Sequence, residues 1–212
     1  VSARELLDHH LDRVERLDGA INSVITIGPE HARAEAVVVD DARAAGRPVG
    51  RLAGVPVTIK DAIATAGIRS TGGATELRDH EPAEDAVAVA AIRSAGAVVF
   101  GKTNVPRWSG DYQTTNEMFG TTNNPWDIER TPGGSSGGPA AAVAMGFTGF
   151  EIGTDIGGSI RVPSSFCGVY GHKPSWGVVP LRGHIPPPPG VQGSVADLPV
   201  GGPIARGAAD LA

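Results

Sequence analysis

The glycine-rich stretch from Thr131 to Gly168 constrains this 212-residue chain more than any other segment. It holds two serines beside glycine: Ser135 in Gly133-Gly134-Ser135-Ser136-Gly137-Gly138, and Ser159 in Gly157-Gly158-Ser159-Ile160-Arg161. Glycine has no Cβ atom and tolerates positive φ, so the backbone beside each serine can turn sharply and approach another group closely. Neighbouring N–H groups can then converge on one negative charge, which is how an oxyanion hole is built. The stretch therefore predicts two tight turns that present serine hydroxyls.

An isolated lysine lies upstream of both serines. Lys60 ends the apolar run Val55-Pro56-Val57-Thr58-Ile59. A serine hydroxyl is weakly nucleophilic at neutral pH and needs a base, and no histidine partner is obvious, so the three residues indicate an unusual nucleophile system. On spacing alone, the Ser159 segment is more often an ordinary turn, and an isolated lysine is more often a solvated surface charge. Lys102, which follows the apolar Val98-Val99-Phe100, is a second candidate base.

The composition limits the class of protein. A hydrophobic content of 41% suits one domain with a real core. The net charge of −5 and the lack of a long basic run do not suggest nucleic-acid or anionic-membrane binding. The apolar stretches are too short for a transmembrane span. The single cysteine, Cys167, cannot form an intrachain disulfide, which suits a cytoplasmic protein. The histidines lack the spacing of a metal site, so we expect no metal.

Helix and strand patterns alternate along the chain. Ser2 and Glu5 have the spacing of a capping box at the start of a helix. Alternating strands and helices predict an α/β fold with a sheet that is covered on both faces. His184 to Gly190, with four consecutive prolines, is expected to be an extended surface segment. Further helices are predicted at 30–45, 83–94 and 137–145, and strands at 55–59, 97–100 and 147–152.

The ordered motifs resemble those of the amidase signature family. Its members carry a Gly-Gly-Ser-Ser-Gly-Gly block followed by Gly-Thr-Asp-x-Gly-Gly-Ser-Ile-Arg, and Ser135 and Ser159 stand at the family's separation. The resemblance runs from about Ser2 to Arg206. Four upstream motifs occur in the family's order: Gly54-Val55-Pro56-Val57-Thr58-Ile59-Lys60-Asp61, Gly101-Lys102-Thr103-Asn104, Phe119-Gly120 and Asn124-Pro125-Trp126.

The resemblance implies a fold and a mechanism. It implies a mixed β-sheet core flanked by helices on both faces, in a single domain over residues 1–212 that lacks its C-terminal portion. Because family members are longer, we expect an incomplete enzyme with an exposed apolar face, and a possible homo-oligomer. The family's nucleophile corresponds to Ser159 and its base to Lys60. Ser135, preceded by a cis peptide bond, is the implied relay between them, which leaves Lys102 with a structural role.

Other residues of the predicted site surround this triad. The backbone N–H groups of Ile156, Gly157, Gly158 and Ser159 are the candidate oxyanion donors. Trp108 and Ser109 fall where the family lines the acyl pocket. The predicted supporting residues are Ser136, Asp155 and Arg161.

The implied function is hydrolysis of a small-molecule amide to an acid and ammonia or an amine, through an acyl-enzyme on Ser159 and without a cofactor. One alternative is the A subunit of a tRNA-dependent amidotransferase, which releases ammonia from glutamine. The other is a non-catalytic binding or scaffold domain. The block around Ser135 also fits the G-x-S-x-G nucleophile elbow, with Asp155 and His172 downstream. That elbow needs a buried strand before the serine, and the preceding residues 123–130 are polar, so we reject it.

Overall fold

A computed structural model describes residues 1–191 and 197–212 of the chain. The helices are α1 (Ala3–Leu17), α2 (Pro29–Ala44), α3 (Val87–Ser94), α4 (Gly137–Met145) and α5 (Arg161–Cys167). The strands are β1 (Val24–Ile27), β2 (Pro56–Lys60), β3 (Val98–Thr103), β4 (Thr115–Asn116), β5 (Gly120–Thr121), β6 (Glu151–Asp155), β7 (Tyr170–Gly171) and β8 (Val200–Ala205). None of the helices in these ranges is long and apolar enough to cross a bilayer.

The first sheet has the order β1-β3-β2 and is mixed. β1 runs antiparallel to β3, whereas β2 runs parallel to it. Successive side chains of a strand point to opposite faces of the sheet. Val99 accordingly packs with α3, while Val98 and Phe100 pack with α1 and α2. Helices therefore cover both faces, which confirms the predicted α/β architecture.

The second sheet, β6-β8-β7, is antiparallel and adjoins the first. The two sheets meet where the Gly149 N–H donates to the Pro56 carbonyl at 3.0 Å and the Thr58 N–H donates to the Thr148 hydroxyl at 3.0 Å. Helix α4 contacts β2, β3, β6 and β8, so it spans this junction. The junction is where the candidate site lies.

Several local predictions agree with the structure. Ser2 and Glu5 form the complete capping box of α1. Helix α2 ends before Gly46, and α4 begins at Gly137 with Pro139 in its first turn, where a missing N–H costs little. The strand expected at 55–59 is found one residue later, as β2.

The prediction of a helix from Ala83 was wrong at its start, because α3 begins at Val87. Tertiary hydrogen bonds hold the four preceding residues in another conformation. The Asp85 carboxylate accepts the Ala66 N–H at 2.8 Å, and the Ala86 N–H donates to the Ala64 carbonyl at 2.9 Å. These bonds to a distant loop replace the first turn of the expected helix.

The strand expected at 147–152 was also misplaced, since β6 runs from Glu151 to Asp155. The segment before it instead closes α4: Gly146 ends the helix at a φ of 68°, and the Phe147 N–H donates to the Ala142 carbonyl at 2.9 Å. Left-handed glycine is a common helix ending.

The proline-rich segment was expected at the surface, but it starts inside the molecule. Ile185 is only 3% exposed, and its N–H donates to the Ala62 carbonyl at 2.8 Å. Prolines 186, 188 and 189 that follow are exposed.

Candidate active site

The structure brings Lys60 and the first glycine-flanked serine into contact. Lys60 is the last residue of β2, and Ser135 lies just before α4. The Lys60 Nζ atom lies 2.8 Å from Ser135 Oγ, 2.9 Å from Ser136 Oγ and 2.9 Å from Thr154 Oγ1. All four side chains are buried. The C-terminal end of one strand, the entrance to a helix and a residue of β6 therefore share one polar pocket.

Ser159 lies in the neighbouring turn, between β6 and α5. The Ser136 N–H donates to the Ser159 carbonyl at 3.1 Å, which joins the two serine loops through their backbones. The Gly134–Ser135 peptide bond is cis. Ser135 and Ser159 both line a single cleft of about 1150 Å³. The order along this wall is thus Lys60, Ser135 and then the Ser159 turn.

Hydrogen-bond geometry determines which partners of Lys60 donate. His184 Nδ1 lies 3.0 Å from the Pro186 carbonyl, which can only accept, so Nδ1 carries the hydrogen. His184 Nε2 is then an acceptor for the Thr154 hydroxyl at 3.3 Å. The Ser136 hydroxyl donates to the Thr154 carbonyl at 3.5 Å. Both hydroxyl oxygens can therefore accept a hydrogen from Lys60, while the Ser135 hydroxyl is left to donate to it.

Burial lowers the pKa of Lys60 to about 7, although the negative charges of Glu151 and Asp155 oppose this shift. An amine without a charge keeps a lone pair, and the bonding pattern directs that lone pair at Ser135. Burial, together with the positive charge of Lys60, lowers the pKa of His184 to about 4, so its ring is neutral at pH 7. Lys60 can therefore act as a proton acceptor for Ser135.

Lys102 is equally buried but has different partners. Its Nζ contacts the Ile63 carbonyl, the Thr65 hydroxyl at 2.7 Å and the Ser70 hydroxyl at 3.0 Å. Those two hydroxyls donate their own hydrogens to the Ile63 and Ile68 carbonyls. All three contacts of Lys102 are therefore acceptors and use all three hydrogens of an ammonium. Burial lowers the pKa of Lys102 to about 8, opposed chiefly by Asp61. Lys102 holds the 61–73 loop and has no lone pair to offer a serine.

Asp155 and Arg161 hold the Ser159 turn together. The Asp155 carboxylate accepts the Gly158 N–H at 2.9 Å and the Ile160 N–H at 3.0 Å, and it pairs with the Arg161 guanidinium at 2.9 Å. Burial acts to raise the pKa of Asp155, but the hydrogen bonds from Arg161 and the backbone outweigh it and hold the pKa below its ordinary value. A charged Asp155 thus fixes the backbone on both sides of Ser159.

The same contact changes the set of candidate oxyanion donors. The Gly158 N–H is donated to Asp155 and does not face the cleft as a free donor. The N–H groups of Ile156, Gly157 and Ser159 have no acceptor among the residues that the structure describes. The Tyr112 hydroxyl donates to the Gly157 carbonyl at 2.8 Å and orients that peptide. Tyr112 lies far from the serine motifs in sequence, and nothing in its own pattern indicated this role.

Trp108 and Ser109 line the cleft. Both have a positive φ, 54° and 56°, in a region that residues other than glycine seldom adopt. The Ser109 hydroxyl is buried and has no hydrogen-bond partner within the described part of the chain. Apolar side chains form much of the remaining wall, among them Ile156, Trp176, Val179, Leu181, Ile185 and Pro187.

The described residues contain no cluster of three or more histidine, cysteine or acidic groups that could hold a metal.

Sequence reasoning missed three residues around Lys60. Glu151 and Thr154 lie on β6, three positions apart, and His184 begins the proline-rich segment. The available signal for Glu151 was a charged residue directly after the apolar segment that ends at Phe150. Thr154 lies in the Gly-Thr-Asp block, but no local pattern linked it or His184 to Lys60, because these contacts span 94 and 30 positions.

Comparison with known proteins places the chain in a family. The model of the family described as "Amidase" matches residues 5–212. The A subunit of the glutamyl-tRNA(Gln) amidotransferase of Prochlorococcus marinus (strain MIT 9303) is 46% identical over 185 residues, which are 87% of this chain and 38% of that protein. The chain thus spans well under half the length of this curated relative.

Solved structures give the same result. The peptide amidase of Stenotrophomonas maltophilia superposes with a TM-score of 0.90 at 35% identity, over 100% of this chain and 43% of its own. The corresponding amidotransferase protein of Thermotoga maritima, also an A subunit, superposes with a TM-score of 0.79 at 34% identity, over 96% of this chain and 40% of its own. The sequence motifs and the fold agree with these matches, and the chain belongs to the amidase family, whose enzymes carry the amidase signature.

Proposed function

We propose that this chain carries the reaction centre of an amidase, with Ser159 as nucleophile, Ser135 as proton relay and Lys60 as base. The observation that supports this most is the buried Lys60 amine, whose hydrogen-bond pattern directs a lone pair at the Ser135 hydroxyl 2.8 Å away. A buried lysine with a lowered pKa is a suitable general base near neutral pH. The turn that bears Ser159 is joined to the Ser135 loop and opens into the same cleft.

In the acylation step, Ser159 Oγ attacks the carbonyl carbon of the amide. The Ser159 proton passes to Ser135, whose own proton passes to Lys60. The N–H groups of Ile156, Gly157 and Ser159 are the proposed donors to the developing oxyanion. When the carbon–nitrogen bond breaks, the relay returns its proton to the leaving nitrogen, which departs as ammonia or an amine. Water then attacks the acyl-enzyme by the same proton path and releases the acid.

The substrate is proposed to be a small amide whose acyl group fills the apolar side of the cleft. Residues 1–212 are proposed to form a single domain that contains this cleft. The higher TM-score with the peptide amidase favours a stand-alone amidase. The curated relatives bear the name of an amidotransferase subunit, so release of ammonia from glutamine beside partner subunits is the second candidate. A non-catalytic scaffold would not require a buried lysine aimed at a serine, which makes that alternative the weakest.

Replacement of Ser159 by alanine tests the proposal. We expect the mutation Ser159→Ala to reduce amide hydrolysis by a factor of about 10³ or more, because the members of such a unit act together. Ser165→Ala, which changes an exposed serine of α5, is the matched control and should retain activity. The assay uses short aliphatic, aromatic and glutamine amides, with and without amidotransferase partner subunits.

A covalent serine-directed probe supplies a second readout. Mass spectrometry should find a fluorophosphonate adduct on Ser159 in the wild-type protein and none in Ser159→Ala. Turnover of Ser159→Ala within tenfold of wild type would exclude Ser159 as the nucleophile. Activity that is confined to glutamine and dependent on partner subunits would favour the amidotransferase function instead.

A further inference from the structure

The acidic residue Glu151 lies in the core beside the proposed base but does not line the cleft. Its side chain is completely buried at the start of β6. Oε1 accepts the Thr58 hydroxyl at 2.8 Å and the Thr103 hydroxyl at 2.7 Å. Oε2 accepts the Lys60 N–H at 3.1 Å and the Ile152 N–H at 3.0 Å. One carboxylate thus joins β6 to β2 and β3, and it bonds the main chain of Lys60 directly.

Two carboxylates, those of Glu151 and Asp155, act on the charge of Lys60. Glu151 has no salt-bridge partner in the described part of the chain. Asp155, the other carboxylate that acts on Lys60, is paired with Arg161. His184, which faces Lys60 from the proline-rich segment, is neutral. Lys102 on β3 also attracts Glu151. Lys102 itself is attracted more strongly by the Asp61 carboxylate than by Glu151. Asp85 and Arg93 also act on Lys102, from the side of α3.

Both ionisation states of Glu151 can be satisfied where it lies. The two N–H groups at Oε2 always donate. The two hydroxyls at Oε1 can both donate to a carboxylate; when Oε1 carries the proton of a carboxylic acid, one hydroxyl turns and accepts it while the other still donates. Burial raises the pKa of Glu151 to about 7, against the hydrogen bonds that favour its charge. The pairs ammonium–carboxylate and amine–carboxylic acid carry the same net charge, so either can occupy the buried pocket.

We propose that Glu151 is a positioning residue for Lys60. The Glu151 carboxylate fixes the backbone of the lysine, and its charge sets whether the buried amine holds a proton. This rests on the proposed role of Lys60 as base, and it adds a residue to that site. An ionised Glu151 favours the ammonium form, which cannot accept a proton from Ser135. A protonated Glu151 favours the free amine, which can.

The mutation Glu151→Gln removes the charge with little change in shape. The glutamine NH₂ group, placed at the Oε1 position, can donate to the hydroxyls of Thr58 and Thr103, and its oxygen can accept both N–H groups. The chain has only three lysines, Lys60, Lys102 and Lys173, so ¹³Cε-lysine NMR resolves each one. We expect the pKa of Lys60 to fall by about one unit in Glu151→Gln, because an opposite charge nearby is lost. Lys173 is the internal reference.

A Lys60 titration that is the same in wild type and folded Glu151→Gln overturns the proposal. If Glu151→Gln does not fold, Thr103→Val takes its place, since it removes one donor to the carboxylate and keeps the residue's shape. A loss of that donor makes Glu151 harder to ionise, so a smaller fall in the Lys60 pKa supports the proposal and an unchanged value overturns it. The NMR readout needs no turnover. If the wild type hydrolyses no amide but the Lys60 pKa still falls in Glu151→Gln, the result counts against the amidase reaction and not against the role of Glu151.

Discussion

Lys60 and Lys102 show that burial alone does not decide what a lysine does. Both are fully buried, and burial lowers the pKa of both. The partners of Lys60 are three hydroxyls, of which one is free to donate. Lys102 faces a carbonyl and two hydroxyls that already donate elsewhere. The free amine is satisfied only at Lys60, and the ammonium is fully satisfied at Lys102.

The lowered pKa of Lys60 predicts a pH-dependent stability difference between wild type and the variant Lys60→Met. The pKa is 10.5 for an ordinary lysine and about 7 in the folded protein. Between these values the unfolded chain binds a proton that the folded chain does not, so the stability of the wild type rises with pH. Relative to Lys60→Met, we expect a gain of up to about 1.4 kcal/mol per pH unit. Urea unfolding at pH values from about 7 to about 9.5, inside this window, measures it.

The comparison depends on the slope with pH, because the methionine also loses three hydrogen bonds and shifts all values by a constant. Lys102 contributes equally to the pH dependence of stability in wild type and in Lys60→Met, so its contribution cancels in the difference. Lys173→Met, at a partly buried lysine, is the control and should follow the wild type. If wild type and Lys60→Met show parallel stability curves over this range, Lys60 is charged throughout and cannot be the resting base.

Among the secondary-structure elements, α4 determines where Ser135 lies relative to β2 and β3. The helix begins with two glycines and is buried from Gly137 to Val143. A Cβ atom on Gly138 would lie 2.9 Å from the Asn104 Cα and closer still to other Asn104 backbone atoms. Backbone cannot move aside as the end of a flexible side chain can. The small residues therefore let the helix entrance approach the end of β3, and Ser135 with it.

The mutation Gly138→Ala is expected to reduce the free energy of unfolding by about 1–3 kcal/mol through overpacking, even though alanine favours helix formation. The mutation should also move Ser135 away from Lys60 and lower activity. Chemical denaturation and an amide assay measure the two effects.

Gly19→Ala is the matched control, because nothing lies within 4 Å of a Cβ atom at that position. It should leave stability within about 0.5 kcal/mol of wild type, as surface substitutions usually do. Equal stability of Gly138→Ala and Gly19→Ala would show that α4 can move away from β3 without cost.

Across the whole molecule, Cys167 offers a probe of how the core opens. It is the only cysteine of the chain, it ends α5, and its side chain is fully buried. Burial raises the pKa of its thiol to about 12. The thiolate is the form that reacts with thiol reagents. In the native protein, burial keeps reagents away from Cys167, and the raised pKa keeps its thiol protonated.

We predict that a thiol reagent labels native Cys167 only through opening of the fold. Labelling should be at least about 10³ slower than at an exposed cysteine, given usual folding equilibria. The comparison protein is Ser165→Cys in a Cys167→Ala background, which places a thiol at an exposed position of the same helix. Fast labelling of Cys167 in wild type, at a rate close to that of the introduced exposed thiol, would show that the α5 region opens independently of the core.

Local sequence patterns were sufficient for several elements, whereas the residues of the proposed triad were named by the resemblance to the family. The capping box at Ser2, the helical stretches of α2 and α4, and the apolar strand before Lys60 depend on neighbours within a few positions. The two glycine-flanked serines were recognisable because their motifs are contiguous. The mixed α/β fold followed from the alternation of elements and from the family resemblance.

Only the tertiary structure decided the start of α3, the place of β6 and the chemistry around Lys60. Asp85 displaces a helical turn by bonding a loop 19 positions away, and Glu151 accepts donors from residues 48 to 93 positions away. The direction of the Lys60 lone pair depends on hydrogen bonds between residues 18, 30 and 94 positions apart. Helical and strand periodicity carries no record of such pairings, because they arise when strand ends and helix starts meet in the folded core.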